Sequence, residues 1–297
     1  MNEKKIRIGT RGSKLALVQT ELVVEALKHS HPEINYEVVI IQTAGDKIID
    51  KPLAEFGGKA VFVTEFEEAI LRNEIDFAVH SAKDMPMELS EGLDIIGVLN
   101  REDPRDVLIT MKSADIIEKE VAFIGTSSLR RQYQIEQLYS NIRCSSIRGN
   151  VNTRLNKLKE GQYDGIILAA AGINRLKLNQ EDECQYRYLD FDELIPAGGQ
   201  GIIAIEGKKD SEWAPLMNEI TDRTAKLELE TERSALFYLD AGCHEPIGVY
   251  ARAEDNQITI WMMKEINGKI IKRKETTFLS NRFRLVKTMV NEIMEII

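Results

Sequence analysis

Apolar and polar residues alternate along this chain at two periods, and the period switches repeatedly. Ile6-Arg7-Ile8 shows the two-residue period of a strand, and Leu15, Val18, Leu22 and Ala26 then fall at helical spacing. Tyr36 to Gln42 reads as a second strand. Thr64 with Glu67 has the form of a capping box ahead of a helix carrying Phe66, Ala69 and Ile70. Phe77 to His80 and Asp94 to Leu99 complete a first set of α/β units.

The pattern resumes after Pro104. Strands at Val107 to Thr110, Val121 to Ile124, Ile142 to Ile147 and Gly165 to Leu168 alternate with helices near Ser127 to Tyr139, Val151 to Glu160 and Ala170 to Leu176. This predicts a second α/β lobe. The C-terminal stretch differs. A helix near Arg223 to Leu239 precedes strands at Gln257 to Met263 and Lys269 to Thr277 around an Asn267-Gly268 turn, and a closing helix starts at Asn281. Two α/β lobes plus a small α+β domain are expected, with ligands held beyond the carboxyl ends of the strands, in a cleft.

Composition narrows the function. With 43% hydrophobic and 29% charged residues, the 297-residue chain is expected to build ordinary packed cores. No apolar run has the roughly 20 residues of a membrane span, and Met1 to Arg7 leads into a strand without a signal-peptide pattern. A cytoplasmic location and no membrane partner are the expectation. Cys144, Cys184 and Cys243 are an odd set without a CxxC pair, so reduced thiols are expected. The net charge of −9 disfavours nucleic acid as a partner. An anionic small molecule stays open, because charges beyond about 8 Å are screened while a nearby arginine is not.

Local arginines are abundant at strand-to-helix junctions. Gly9-Thr10-Arg11-Gly12-Ser13 follows the first strand, and Gly125-Thr126-Ser127-Ser128-Leu129-Arg130-Arg131 repeats the theme in the second lobe. Arg148-Gly149-Asn150-Val151-Asn152-Thr153-Arg154 and Ala169 to Arg175 add two more junctions. Helix N-termini attract anions, and the planar guanidinium grips carboxylate or phosphate bidentately. Four junctions with six arginines point to a ligand with several negative groups.

His80-Ser81-Ala82-Lys83-Asp84-Met85-Pro86 puts a lysine and a carboxylate after a buried strand. Asp84 there suits stabilising a cation or handling a proton, and equally an Asx-type turn before Pro86. Cys243 lies in the loop Gly242-Cys243-His244-Glu245-Pro246, whereas Cys144 falls within a strand and Cys184 in a polar connection. Gly199-Gln200-Gly201 matches a dinucleotide fingerprint by letter but precedes a strand instead of following one. No zinc-ligand spacing, and hence no metal site, is found.

In this order these motifs resemble the porphobilinogen deaminase family, also called hydroxymethylbilane synthases. The resemblance runs from Gly9-Thr10-Arg11 through Lys83-Asp84-Met85-Pro86 and Arg148-Gly149-Asn150 to Gly242-Cys243, and takes in Ile195-Pro196-Ala197, Gly199-Gln200-Gly201 and Glu206. It implies two periplasmic-binding-protein-like lobes, residues 1–100 with 197–218 and residues 101–196, followed by a cofactor-cysteine domain over 219–297. It further implies a monomeric transferase acting on the small molecule porphobilinogen. Four units are condensed stepwise, with loss of ammonia, onto a dipyrromethane cofactor, and hydrolysis then releases hydroxymethylbilane for haem and other tetrapyrroles.

By the same resemblance the cofactor is linked through a thioether to Cys243. It is bound by Arg11, Ser13, Lys83, Asp84, Thr126, Ser127, Ser128, Arg130, Arg131, Arg148, Gly149 and Arg154. Asp84 and Lys83 are catalytic, and Arg11, Gln19, Lys59, Arg148, Arg154, Arg175 and Gln200 bind substrate. The chain departs from the family pattern at Glu55, Ala60, Thr64 and Ala241. From the arginine junctions alone, a non-catalytic anion-sensing protein or an enzyme on phosphorylated substrates remains open.

Overall fold

The computed structural model describes residues 5–43, 63–114, 116–179, 183–240 and 245–296. Among them the strands are β1 (Lys5–Thr10), β2 (Asn35–Ile40), β3 (Phe77–Ser81), β4 (Leu93–Val98), β5 (Asp106–Met111), β6 (Ala122–Gly125), β7 (Ile142–Ser145), β8 (Gly165–Ala169), β9 (Cys184–Leu189), β10 (Ile203–Lys208), β11 (Ile247–Glu254), β12 (Gln257–Ile266) and β13 (Lys269–Phe278). The helices are α1 (Lys14–Ser30), α2 (Thr64–Leu71), α3 (Leu129–Leu138), α4 (Val151–Lys159), α5 (Ala170–Arg175), α6 (Ala214–Glu219), α7 (Arg223–Tyr238) and α8 (Arg282–Met294). The chain divides into two compact units, Met1–Arg101 with Ile202–Leu229, and Glu102–Gly201 with Glu230–Ile297.

In the first unit a five-stranded sheet runs β2-β1-β3-β10-β4. Strands β2, β1 and β3 are parallel, and β10 is antiparallel to both neighbours. Alternation in β1 buries Ile6 and Ile8 and turns Arg7 outward, where its guanidinium grips Asp76 through Nε and Nη2 at 3.2 and 2.9 Å. Helix α1 buries Val23, Val24 and Leu27 against Ile6, Ile8, Phe77, Val79, Ile203 and Ile205. Another apolar cluster gathers Phe66, Ala69 and Ile70 of α2 with Ala78 of β3. The expected capping box at Thr64 is not formed: Val63 is the N-cap, without a side-chain bond. Glu67 is instead buried and accepts from Ser90 N and Oγ at 3.1 and 2.7 Å, a tertiary use that outweighs the local one.

The second unit holds a sheet of the same form, β7-β6-β8-β5-β9, and a three-stranded antiparallel sheet β11-β12-β13. Here β7, β6 and β8 are parallel, and β5 is antiparallel to β8 and β9. The fold is thus α/β, with two lobes built on five-stranded mixed sheets of the same form and a small C-terminal antiparallel sheet. Asn267 and Gly268, both at positive φ (52° and 79°), make the predicted turn between β12 and β13. Cys184 is not in a connection: it is buried as the first residue of β9, within the apolar cluster of Ile109, Ile166 and Leu168.

Two features dock the small sheet within this unit. Phe191 stacks on Tyr250 with centroids 4.2 Å apart and leans on Trp261, whose Nε1 donates to Asp192 at 3.2 Å. Glu232 of α7, fully buried, accepts from Gly199 N at 2.6 Å and Ala251 N at 2.8 Å, tying helix, loop and β11 together. Glu232→Ala strands two buried N–H groups and should cost roughly 2–3 kcal/mol. A lower midpoint in thermal or urea unfolding, with Glu232→Gln less affected, is the expected measurement.

Candidate functional site

In the first unit β1 ends at buried Thr10 and delivers Arg11 and Ser13 to the start of α1. Ser13 Oγ caps that helix, accepting from Ala16 N at 3.3 Å. Gln19, one of the buried residues of α1, donates from Nε2 to Ser81 Oγ at 2.8 Å, joining α1 to the end of β3. Beyond Ser81, Ala82–Asp84 form a 3-10 turn. Ala82 and Met85 on either side are buried in one apolar cluster with Val98, Ile202 and Ala204, and Ala82 N donates to Ile202 O at 3.0 Å. The pinning leaves Lys83 half-buried and Asp84 exposed. Asp84 makes no Asx-type bond among the described residues.

One step earlier on β3, His80 Nε2 lies 2.9 Å from Glu206 Oε2, with both residues buried and Phe66 edge-on to the imidazole at 5.0 Å. Glu206 Oε1 has no partner among the described residues. This pair connects β3 to β10.

In the second unit three of the predicted junctions sit at one sheet edge, because β7, β6 and β8 are parallel neighbours and their carboxyl ends align. The first two junctions are cross-linked. Ser127 Oγ donates to Ile147 O at 2.7 Å and accepts from Ile147 N at 3.1 Å, and Thr126 N donates to Ser145 O. Ser128 caps α3 and Asn150 caps α4. Gly149 has φ +110°, and a Cβ there would lie 2.6 Å from Thr153 Cγ2, so only glycine fits. Arg148 and Arg154 are half-buried, and Arg154 Nε holds Gly149 O at 2.8 Å. Arg175, at the end of α5, donates from Nη2 to Gly201 O at 2.7 Å, and burial draws its pKa down to about 10 against the pull of Glu102.

Arg130 and Arg131 are buried, at 4% and 7% exposure, and meet at a residue that sequence reading passed over, Asp106. Arg130 Nη1 donates to Asp106 Oδ2 at 2.7 Å and to Ile195 O at 2.7 Å. Arg131 donates to Asp106 Oδ1 from Nε at 2.9 Å and Nη2 at 2.7 Å, and its Nη1 reaches Ile167 O at 3.0 Å. Gln200, expected at the substrate, is fully buried, with Nε2 on Pro104 O at 2.7 Å and Asp106 Oδ1 at 3.0 Å. Burial alone would raise the Asp106 carboxyl, but the two guanidiniums reverse this and hold it well below the usual carboxylate range. The one signal for Asp106 in the sequence was an aspartate opening the apolar run Val107-Leu108-Ile109.

Lys59 and Cys243 lie outside the described residues, as do Glu55, Ala60, Ala241, Gly242 and His244. Cys144 is no candidate nucleophile: burial, with Glu136 beside it, pushes its thiol up to about 12.

Residues 6–215 match the family described as "Porphobilinogen deaminase, dipyromethane cofactor binding domain", and residues 226–295 match "Porphobilinogen deaminase, C-terminal domain". A porphobilinogen deaminase from Rickettsia canadensis is 41% identical, covering 97% of this chain and 98% of its own length. One from Lachnospira eligens is 47% identical, covering 84% and 85%. The chain belongs to the porphobilinogen deaminase family. It is therefore an enzyme of tetrapyrrole synthesis carrying the dipyrromethane-binding domain of porphobilinogen deaminases. Among solved structures it is similar to the periplasmic VFT2 domain of Bordetella pertussis BvgS, at TM-score 0.42 and 13% identity over 73% of this chain and 85% of that one. Among the described residues no helix is long and apolar enough to cross a membrane, and no His, Cys, Asp and Glu cluster suits a metal.

A carboxylate whose folded pKa is depressed stabilises the fold above its unfolded value, about 4 for aspartate, and loses that contribution as pH falls. Asp106 should therefore contribute to acid unfolding of this deaminase-family chain. In melts between about pH 6 and 2, Asp106→Asn is expected to show a shallower dependence of midpoint on pH than the wild type.

Proposed function

We propose that this chain condenses four porphobilinogen molecules head to tail on a dipyrromethane held by Cys243, releasing ammonia at each joining and hydroxymethylbilane at the end. The single observation that supports the chemistry best is the Lys83-Asp84 turn, whose carboxylate is exposed while both flanking residues are anchored in the core. The donor set also suits the cofactor. A dipyrromethane carries carboxylate side chains and pyrrole N–H groups, and the described residues offer arginines for the former and Asp84 for the latter.

When bound, the dipyrromethane supplies the two-ring primer to which incoming units are joined. The protein's residues do the rest. Loss of ammonia from the aminomethyl group of porphobilinogen leaves a cationic pyrrole, and ionised Asp84 accepts its N–H and offsets the charge. Lys83 binds an acid side chain beside it. Arg11, Ser13 and Gln19 in the first unit serve the same ligands. In the second, so do Thr126, Ser127, Ser128, Gly149, Arg130, Arg131, Arg148, Arg154 and Arg175. Guanidiniums bind acetate and propionate groups bidentately, which fixes the orientation of each ring. Gln200 acts through Asp106, and Lys59 completes the substrate contacts. We also propose a cytoplasmic monomer that uses neither nucleic acid nor membrane, a reading that the net charge of −9 supports as regards nucleic acid.

Intact-mass measurement of the purified protein should show a covalent addition of two pyrrole rings that Cys243→Ser lacks. An active wild type without that addition would refute the attachment. Asp84→Ala should keep the wild-type circular dichroism and melting curve while kcat for ammonia release drops by roughly 100-fold or more, in line with removal of a transition-state electrostatic partner. Turnover within a few-fold of wild type would exclude the role.

A further inference from the structure

We propose that Asp106 is a positioning residue that presents one edge of Arg130 to a carboxylate of the bound dipyrromethane, an inference that rests on the function proposed above. A guanidinium has two edges suited to a carboxylate, and the side edge, formed by Nε and Nη2, is the bidentate one left when Nη1 is occupied. Arg130 Nη1 is occupied twice over, by Asp106 Oδ2 and Ile195 O, both at 2.7 Å. Its Nε and Nη2 have no partner among the described residues. Arg131 is arranged differently: Nε and Nη2 both serve Asp106 Oδ1, and Nη1 serves Ile167 O.

Charge points the same way. Two buried guanidiniums face one buried carboxylate, so the cluster keeps one positive charge unmatched, and a buried unmatched charge calls for an anion. The anion is placed by what holds Arg130 still. Gln134 Nε2 donates to both Arg130 O and Ile195 O, and Gln134 Oε1 accepts from Ile195 N at 2.9 Å, so the carbonyl that fixes Nη1 is itself clamped. Gln200 Nε2, at 3.0 Å from Asp106 Oδ1, keeps the carboxylate from turning. Asp106 therefore does not touch the ligand; it aims the residue that does.

The test compares wild type, Cys243→Ser and Asp106→Asn. In arginine side-chain NMR spectra, the Arg131 Nε–H should exchange slowly in both wild type and Cys243→Ser. The Arg130 Nε–H should exchange slowly only in wild type, at least about tenfold more slowly than in Cys243→Ser, because only there does a carboxylate cover it. Asp106→Asn should carry the two-ring addition on a fraction of molecules reduced by about tenfold, and in its loaded molecules the Arg130 Nε–H should exchange at least about tenfold faster than in wild type. Equal Arg130 Nε–H exchange in wild type and Cys243→Ser overturns the proposal, as does a folded Asp106→Asn that loads fully and keeps the wild-type Arg130 Nε–H exchange. Should Asp106→Asn fail to fold, the exchange comparison decides by itself. A wild type without any covalent addition would instead overturn the function proposed above, so the two failures are distinguishable.

Discussion

A single buried carboxylate, Asp106, organises the second unit. It opens β5, the strand between β8 and β9, and ties two arginines of α3 to that sheet position. Removing three charged groups from water costs several kcal/mol each, so the cluster is tolerable only with short, well-directed bonds, which it has. The geometry reaches further through Ile195. Its segment is docked on the small sheet by the Phe191, Tyr250 and Trp261 stack, and its carbonyl restrains Arg130. Apolar packing some residues away thus controls the direction of a guanidinium, and a change in that aromatic cluster is a change in the polar site.

The two units carry their charged candidates differently: the first has an exposed carboxylate beside Lys83 on an anchored turn, with Arg11 at the end of β1, and the second has arginines along the aligned ends of three parallel strands. An overall charge of −9 is no obstacle, since screening removes distant charges beyond about 8 Å while buried guanidiniums act at contact. The hydroxyls at these junctions are largely engaged in building them: Ser13 and Ser128 cap helices and Ser127 joins two loops.

Most elements were legible because their periodicity and tertiary burial agree. The strands from Ile6, Val107, Gly165 and Gln257 and the helices near Arg223 and Asn281 lie close to where alternation and helical spacing put them. The failures are cases of long-range chemistry overriding a local pattern. Glu67 reads as a cap but bonds Ser90, 23 residues away. Cys184 looks polar by its neighbours, yet β9 draws it into the core. Asp106 and Gln134 were invisible because their partners are 24 and 61 residues distant in the chain. Among the candidate site residues, the arginine junctions and the Lys83-Asp84 turn stood out by residue type. That Arg130 and Gln200 would be fully or nearly buried required the fold.

The strand order of the first sheet has a consequence for how the protein is made. Among the described residues strand β4 pairs with β10 alone, and β3 has β1 on one side and β10 on the other. A ribosome reaches Lys208 roughly 5–20 s after Val98 at the usual pace of about 5–20 residues per second. During that interval the nascent first half has its Phe77–Ser81 edge bare and β4 without a sheet partner. Glu206 likewise reaches His80 only when β10 emerges, so the buried polar pair between β3 and β10 forms after every other described strand of this sheet has left the ribosome.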